Sequence, residues 1–178
     1  MSGYSGDRVL LGGQRESRIS HFRIWVLLLI PLLAILFQVY LPLFFSSLQY
    51  VEIPLLVTIY FAMMRRAQVA GLLLGALVGC AQDSLSRDYV GMSGISNTLV
   101  GYFAASTALR IDVEHPMIRL LLSFVFLIFE RFLHWVMSRA LLAQQVPFDI
   151  KQVAMIAFLN AVIAVALFHF LDKLKERN

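Results

Sequence analysis

The amino-acid sequence predicts an all-α protein, a polytopic membrane bundle of about six transmembrane helices. Of its 178 residues, 60% are hydrophobic and only 15% are charged, whereas soluble domains have about 45–50% apolar and about 25% charged residues. The mean hydropathy is +0.77. The apolar residues form blocks, several of which approach the roughly 20 residues that a helix needs to cross a bilayer. These observations exclude an ordinary water-soluble fold.

The first two apolar segments differ in length. The first helix is predicted over residues 24–45, where neighbouring helices can pair the carbonyl groups that Pro31 and Pro42 leave free. The second covers only residues 53–64 before it meets Arg65 and Arg66. Because a dozen residues cannot span the hydrocarbon layer alone, we expect this helix to be short and either buried or tilted.

The other four segments are bounded by polar or charged residues. The third helix is predicted over residues 69–86, the fourth over 92–109, the fifth over 117–142 and the sixth over 153–171. Residues 24–172 therefore form the predicted membrane domain. Residues 1–23 are polar and contain four glycines, so we expect a flexible cytoplasmic tail. Residues 173–178 form a short basic cytoplasmic tail.

Lysine and arginine are distributed unevenly between the two predicted sides of the membrane. Eleven of the fifteen lie on the predicted cytoplasmic side: Arg8, Arg15, Arg18, Arg23, Arg65, Arg66, Arg110, Arg119, Lys173, Lys175 and Arg177. The other side has only Arg87, Arg139 and Lys151, and Arg131 lies within the fifth helix. Because cytoplasmic loops hold the excess of basic residues, both termini are expected in the cytoplasm. Topology explains the net charge of +4, and no dense basic run indicates nucleic-acid binding.

Small residues recur every four positions on the predicted third helix. Gly71, Gly75, Gly79 and Asp83 lie along one stripe of this helix. Glycines at such spacing allow the backbone of another helix to approach closely. The stripe is therefore expected either to pack against a helix of the same chain or to form a surface for another chain.

Asp83 lies near the predicted outer end of the third helix. An ionisable group at this depth is costly unless it is paired, hydrated or at the interface, and Asn97 is a candidate hydrogen-bond partner. A polar turn follows it, which contains Ser84, Ser86, Arg87, Asp88, Gly91, Ser93 and Gly94. The turn is expected to be either a structural cap or a binding surface.

The run Gly75-Ala-Leu-Val-Gly79-Cys-Ala-Gln-Asp83, followed by Gly91 and by Gly101-Tyr102, resembles the central motif of the bacterial rod shape-determining MreD family. Chain size, the six-helix hydropathy and short basic tails extend this resemblance over nearly the whole chain after the N-terminal tail. The resemblance implies a non-enzymatic inner-membrane scaffold of the elongasome, which builds lateral peptidoglycan. It also implies a fold similar to the substrate-binding subunits of energy-coupling-factor transporters.

The same resemblance implies a set of protein partners. Members of the family bind the bitopic protein MreC and, through it, a RodA-type glycosyltransferase, a class B penicillin-binding transpeptidase and MreB filaments. The motif, the glycine stripe and the predicted polar partner of Asp83 together provide the candidates for helix packing or partner binding: Gly71, Gly75, Gly79, Asp83, Gly91, Asn97, Gly101 and Tyr102. The sequence leaves the formation of a homo-oligomer open.

Polar residues within the fifth and sixth helices form a predicted intramembrane network of Glu130, Arg131, His134 and Asn160. Such residues should face protein or water rather than lipid. Glu130 and His134 lie four residues apart, but two candidate ligands without another histidine or a cysteine nearby do not make a metal site. We predict no catalytic residue and no cofactor. The third and fifth helices both begin on the predicted cytoplasmic side, and Asp83 and Arg131 each lie fourteen positions along their helix. The two side chains are therefore expected at similar depth in the membrane and are predicted to form an ion pair.

Two functions are alternatives to that of a scaffold. A transporter-type subunit would capture a small molecule from the outer side, in an enclosed and mostly apolar pocket. Residues that could line such a pocket are Ser47, Gln49, Asp83, Asn97 and Asn160. A small enzyme of lipid or undecaprenyl metabolism would need clustered acidic or histidine residues at the headgroup level, and Asp83 and Asp88 are too few.

Overall fold

The computed structural model describes residues 24–40, 50–85, 91–113, 115–143 and 147–173. Within these ranges the chain forms six α-helices and no strand, which confirms the predicted all-α fold. The helices are α1 (Ile24–Tyr40), α2 (Ile53–Arg65), α3 (Gln68–Leu85), α4 (Met92–Ala108), α5 (Pro116–Leu142) and α6 (Ile150–Asp172). The prediction placed the start of α6 at Val153, three residues too late.

Several predictions concern residues outside the described ranges. They are the N-terminal tail, the end of the first helix after Tyr40, Ser47 and Gln49 of the alternative pocket, Ser86, Arg87 and Asp88 of the polar turn, and residues 174–178.

Local sequence signals fix where the helices begin and end. Pro54 and Pro116 lie in the first turns of α2 and α5, where a missing backbone N–H costs nothing. Asp149 precedes α6, and its side chain accepts hydrogen bonds from the first backbone N–H groups of that helix. Arg66 and Ala143 adopt the left-handed conformation with φ of 50°, which ends α2 and α5.

The short helix α2 lies at the centre of the bundle. Every residue from Pro54 to Met64 is buried, and α2 packs against all five other helices. Its 13 residues rise by only about 20 Å, compared with a hydrocarbon layer of about 30 Å. The prediction of a short, buried second helix is therefore confirmed.

The outer helices have the properties of membrane helices. By length and composition, α3, α5 and α6 are long and apolar enough to cross a membrane, whereas α2 and the described part of α1 are shorter apolar helices. Large apolar side chains such as Leu77, Leu121 and Met155 are exposed on these outer helices. Such side chains suit contact with lipid tails, which are as apolar as leucine.

Candidate functional site

The glycine stripe of α3 packs against the backbone of α4. A Cβ atom added at Gly71, Gly75 or Gly79 would overlap with the carbonyl oxygens of Gly101, Asn97 or Ser93, respectively. In the other direction, a Cβ atom at Gly101 would overlap with the carbonyl oxygen of Gly71. We call this contact of Gly71, Gly75 and Gly79 with α4 the glycine seam. Its two backbones are too close for any side chain to fit between them.

The glycine seam is therefore occupied within the chain. Of the two interpretations that the sequence left open, the geometry favours packing within the chain for these three glycines. Tyr102 is exposed, and its ring lies beside that of Phe103, with centroids 5.5 Å apart. Gly91 has nothing within 4 Å of an added Cβ, but its φ of 101° disfavours other residues.

Asp83 caps the N-terminus of α4 from the last turn of α3. Its Oδ2 accepts hydrogen bonds from the backbone N–H groups of Gly91 at 2.8 Å and Gly94 at 3.0 Å. Its Oδ1 accepts one from the N–H of Ser93 at 3.2 Å. The side chain is buried, with 1% of the residue exposed. Because the first N–H groups of a helix lack partners within the helix and carry partial positive charge, a carboxylate there is stabilising.

Two predicted partners of Asp83 are wrong. Asn97 does not bond to it, and the buried Nδ2 of Asn97 has no hydrogen-bond partner among the described residues. Arg131 does not pair with it either, but forms ion pairs with Glu52 and Glu130. Similar depth is not sufficient for contact, because α4 packs against both α3 and α5 and so lies between them.

A second polar group, the Glu52 cluster, consists of Glu52, Glu130, Arg131 and His134. Nη2 of Arg131 contacts Oε1 of Glu52, the residue that precedes α2. Nε of Arg131 and Oε2 of Glu130 are 3.9 Å apart, as are Nδ1 of His134 and Oε1 of Glu130. The two carboxylate side chains are only 14% and 9% exposed. The cluster joins α5 to the start of α2 and largely buries its two carboxylates.

The Glu52–Arg131 pair gives a prediction about stability. Glu52→Gln or Arg131→Gln leaves a partly buried charge without its partner, so each single substitution should cost more than half of the double substitution. We expect a coupling energy of about 1–2 kcal/mol in a double-mutant cycle, measured as the free energy of unfolding of the purified protein in detergent. The control cycle is Asp83→Asn with Arg131→Gln, which should be additive. Additivity in both cycles would contradict the pair.

Asn160 in α6 forms hydrogen bonds with the backbone just before α2 begins. Its Oδ1 accepts a hydrogen bond from the N–H of Glu52 at 2.8 Å, and its Nδ2 donates to the carbonyl oxygen of Tyr50 at 2.7 Å. From α1, Oε1 of Gln38 accepts a hydrogen bond from the N–H of Ile53 at 3.2 Å. Two outer helices therefore supply partners to the first backbone groups of α2. Of these two side chains, the sequence singled out Asn160 but not Gln38.

Replacement of Asn160 should loosen the start of α2. Leucine is similar in size to asparagine, but Asn160→Leu leaves the part-buried N–H of Glu52 and the carbonyl oxygen of Tyr50 without these partners, at a total cost of about 1–3 kcal/mol. We expect a clearly lower melting temperature in detergent. The control is Gln152→Leu, an exposed position on the same helix. Equal melting temperatures for the two variants would show that Asn160 does not secure α2.

A third polar group, the Tyr60 cluster, lies at the other end of α2 and consists of Tyr60, Arg119 and Asp172. Oη of Tyr60 donates to Oδ1 of Asp172 at 2.9 Å, and Nη1 of Arg119 donates to Oδ2 of the same carboxylate. Nε of Arg119 donates to the carbonyl oxygen of Val113 at 2.7 Å. This cluster ties α2, α5 and α6 together. No pattern in the sequence indicated this cluster, since Arg119 was interpreted only as a cytoplasmic charge.

Cavities and metal-ligating side chains within the described part of the chain indicate what it could bind. Two half-open cavities lie between α5 and α6, one of about 570 Å³ beside Arg119 and Asp172 and one of about 210 Å³ beside Arg131 and His134. The described residues contain no group of three or more histidine, cysteine, aspartate or glutamate side chains that could hold a metal ion. The polar groups are arranged to connect helices to one another.

The comparisons with known proteins agree with the resemblance of the motif. The family model for rod shape-determining protein MreD matches residues 19–177. No curated protein and no solved structure matches the chain. The similarity to the subunits of energy-coupling-factor transporters therefore stays a prediction.

Proposed function

The chain belongs to the MreD family of rod shape-determining proteins, and we propose that it is a non-enzymatic membrane scaffold of the cell-wall elongation machinery. The observation that carries this proposal is the family match, because it extends over residues 19–177 and includes all six helices. In this role the bundle binds the membrane helix of an MreC-type bitopic protein. Through that protein it holds a RodA-type glycosyltransferase, a class B transpeptidase and MreB filaments in one complex.

The use of the buried polar residues supports a scaffold. Asp83 caps α4, Asn160 secures α2, and the Glu52 and Tyr60 clusters connect α2 to the outer helices. These groups give the bundle a fixed shape rather than converging on one cavity. A rigid bundle presents a constant surface to a partner, which lowers the cost of ordering side chains on binding. Because the glycine seam is filled by α4, the partner must bind to another face.

The transporter alternative lacks such support. Of its candidate lining residues, Asp83, Asn97 and Asn160 lie within the described ranges, and neither cavity between α5 and α6 is lined by any of them. The cavity beside Arg131 has about 210 Å³, which is less than the roughly 300–1,000 Å³ of ordinary ligand pockets. The larger cavity lies at the end of α5 and α6 that the charge distribution assigns to the cytoplasm, opposite to where an external substrate enters.

We place the protein in the bacterial inner membrane with both termini in the cytoplasm. The distribution of basic residues, eleven against three, is the reason for this orientation. Reporter fusions after Asn178 and within the loop at Gln144 and Gln145, which lies outside the described residues, test it. The first fusion should be active only as a cytoplasmic reporter and the second only as a periplasmic one. The opposite pattern would overturn the orientation.

Affinity purification from native membranes tests the proposed function. The tagged full chain should recover an MreC-type protein together with the glycosyltransferase and the transpeptidase, and its depletion should turn rods into spheres. An unrelated six-helix membrane protein with the same tag, expressed at the same level, is the control. Recovery of the ATPase subunits of a transporter, without the cell-wall proteins, would support the transporter alternative and contradict the scaffold.

A further inference from the structure

The larger of the two cavities is a groove between the exposed faces of α5 and α6. It has a volume of about 570 Å³ and lies between the first turns of α5 and the last turns of α6. Its lining residues are Pro116, Arg119, Leu120, Val162, Val165, Ala166, His169 and Asp172. We call it the α5–α6 groove. Both helices are long and apolar enough to cross a membrane, so the groove opens towards lipid.

The α5–α6 groove is polar at one end and apolar at the other. On α6 the lining residues recur every three or four positions from Val162 to Asp172, so they share one face of the helix. These ten positions correspond to about 15 Å along the axis. The end near Val162 and Val165 is apolar, whereas the end near Asp172 contains Arg119 and His169. This distribution matches a molecule with an ionic head and a hydrocarbon chain.

The charge at the polar end favours an anionic head. Arg119 and Asp172 neutralise each other in an ion pair, and Lys173 adds a positive charge. Lys173 follows His169 by four positions, so it lies on the same side of α6, and both residues are exposed.

The size of the groove suits a hydrocarbon chain better than a transmembrane helix. A helix about 10 Å wide would occupy about 1,200 Å³ over a length of about 15 Å, about twice the volume of about 570 Å³ that the groove provides, so it could only rest against the open side. A hydrocarbon chain is much narrower and fits within the groove. We propose that the α5–α6 groove binds one anionic phospholipid, with its phosphate at His169 and Lys173 and one acyl chain along Val162 and Val165.

Native mass spectrometry of the full-length protein tests this site. The protein is released from bilayers of phosphatidylcholine and phosphatidylglycerol in equal amounts, and the bound lipids are counted. The wild type should retain one phosphatidylglycerol. Ala166→Phe, which fills the groove from an exposed position, should reduce its retention about tenfold, equivalent to ~1.4 kcal/mol. Met155→Phe adds a ring at another exposed position of α6 and should have no effect.

A second variant separates recognition of the head from that of the chain. Lys173→Gln together with His169→Gln should abolish the preference for phosphatidylglycerol over phosphatidylcholine while one lipid is still retained. Unchanged retention of phosphatidylglycerol by Ala166→Phe would overturn the groove as the binding site. Equal retention of the two lipids by the wild type would overturn the anionic head. Circular dichroism of all variants checks that the bundle is folded.

Discussion

Gly75→Ala should destabilise the protein by about 1–3 kcal/mol, although alanine normally favours a helix over glycine by about 1 kcal/mol. The sign reverses because an added Cβ atom would overlap with the carbonyl oxygen of Asn97 and would also lie 2.6 Å from its carbonyl carbon. Backbone atoms cannot move aside as a side chain can, so α3 and α4 must separate. The melting temperature in detergent should fall, and Gly75→Leu should prevent stable assembly altogether.

The matched control for Gly75→Ala is the same change at Gly94. There the nearest atom to an added Cβ is Sγ of Cys80 at 3.0 Å, the end of a side chain that can rotate. We therefore expect Gly94→Ala to cost much less than Gly75→Ala, even though both glycines are buried. Similar melting temperatures for the two variants would contradict the close contact of the two backbones at the glycine seam.

The sequence predicted the helices well because the length of an apolar block and the charged residues at its ends are local features of the sequence. Apolar blocks and their polar ends gave the positions of the six helices, and the short block before Arg65 predicted the buried α2. The order of packing could not be predicted, because hydropathy does not show which helices are neighbours. For this reason Arg131 was assigned to Asp83, whereas it contacts Glu52.

The candidate site was predicted unevenly for a similar reason. The spacing of Gly71, Gly75 and Gly79 indicated a close helix contact, but a repeat of glycines does not identify the helix that meets it. Glu52 gave no signal, since a single carboxylate at the end of an apolar segment usually faces water or lipid headgroups. Its partners are distant in the sequence: its N–H donates to Asn160, 108 residues later, and its side chain contacts Arg131 of α5.

Asp83→Ala should destabilise the isolated protein by about 3 kcal/mol. The substitution removes the acceptor for the N–H groups of Gly91, Ser93 and Gly94, and hydrogen bonds to charged groups contribute about 1.5–3 kcal/mol each. Water that enters the space left by the side chain can replace part of this, which keeps the total below the sum of three bonds. Asp83→Asn retains one oxygen acceptor and should cost about half as much.

This substitution also separates a cap from a binding surface, the two interpretations that the sequence left open for the turn after α3. If Asp83 acts as a cap, Asp83→Ala lowers the melting temperature of the purified chain in the absence of any partner. Ser84→Ala is the control, since Ser84 is exposed and its hydroxyl group only donates to the carbonyl oxygen of Cys80 in its own helix. An unchanged melting temperature for Asp83→Ala, combined with loss of an MreC-type protein in affinity purification, would instead make Asp83 part of the partner interface. The geometry favours the first result, because its carboxylate is almost fully buried and directed at the first turn of α4.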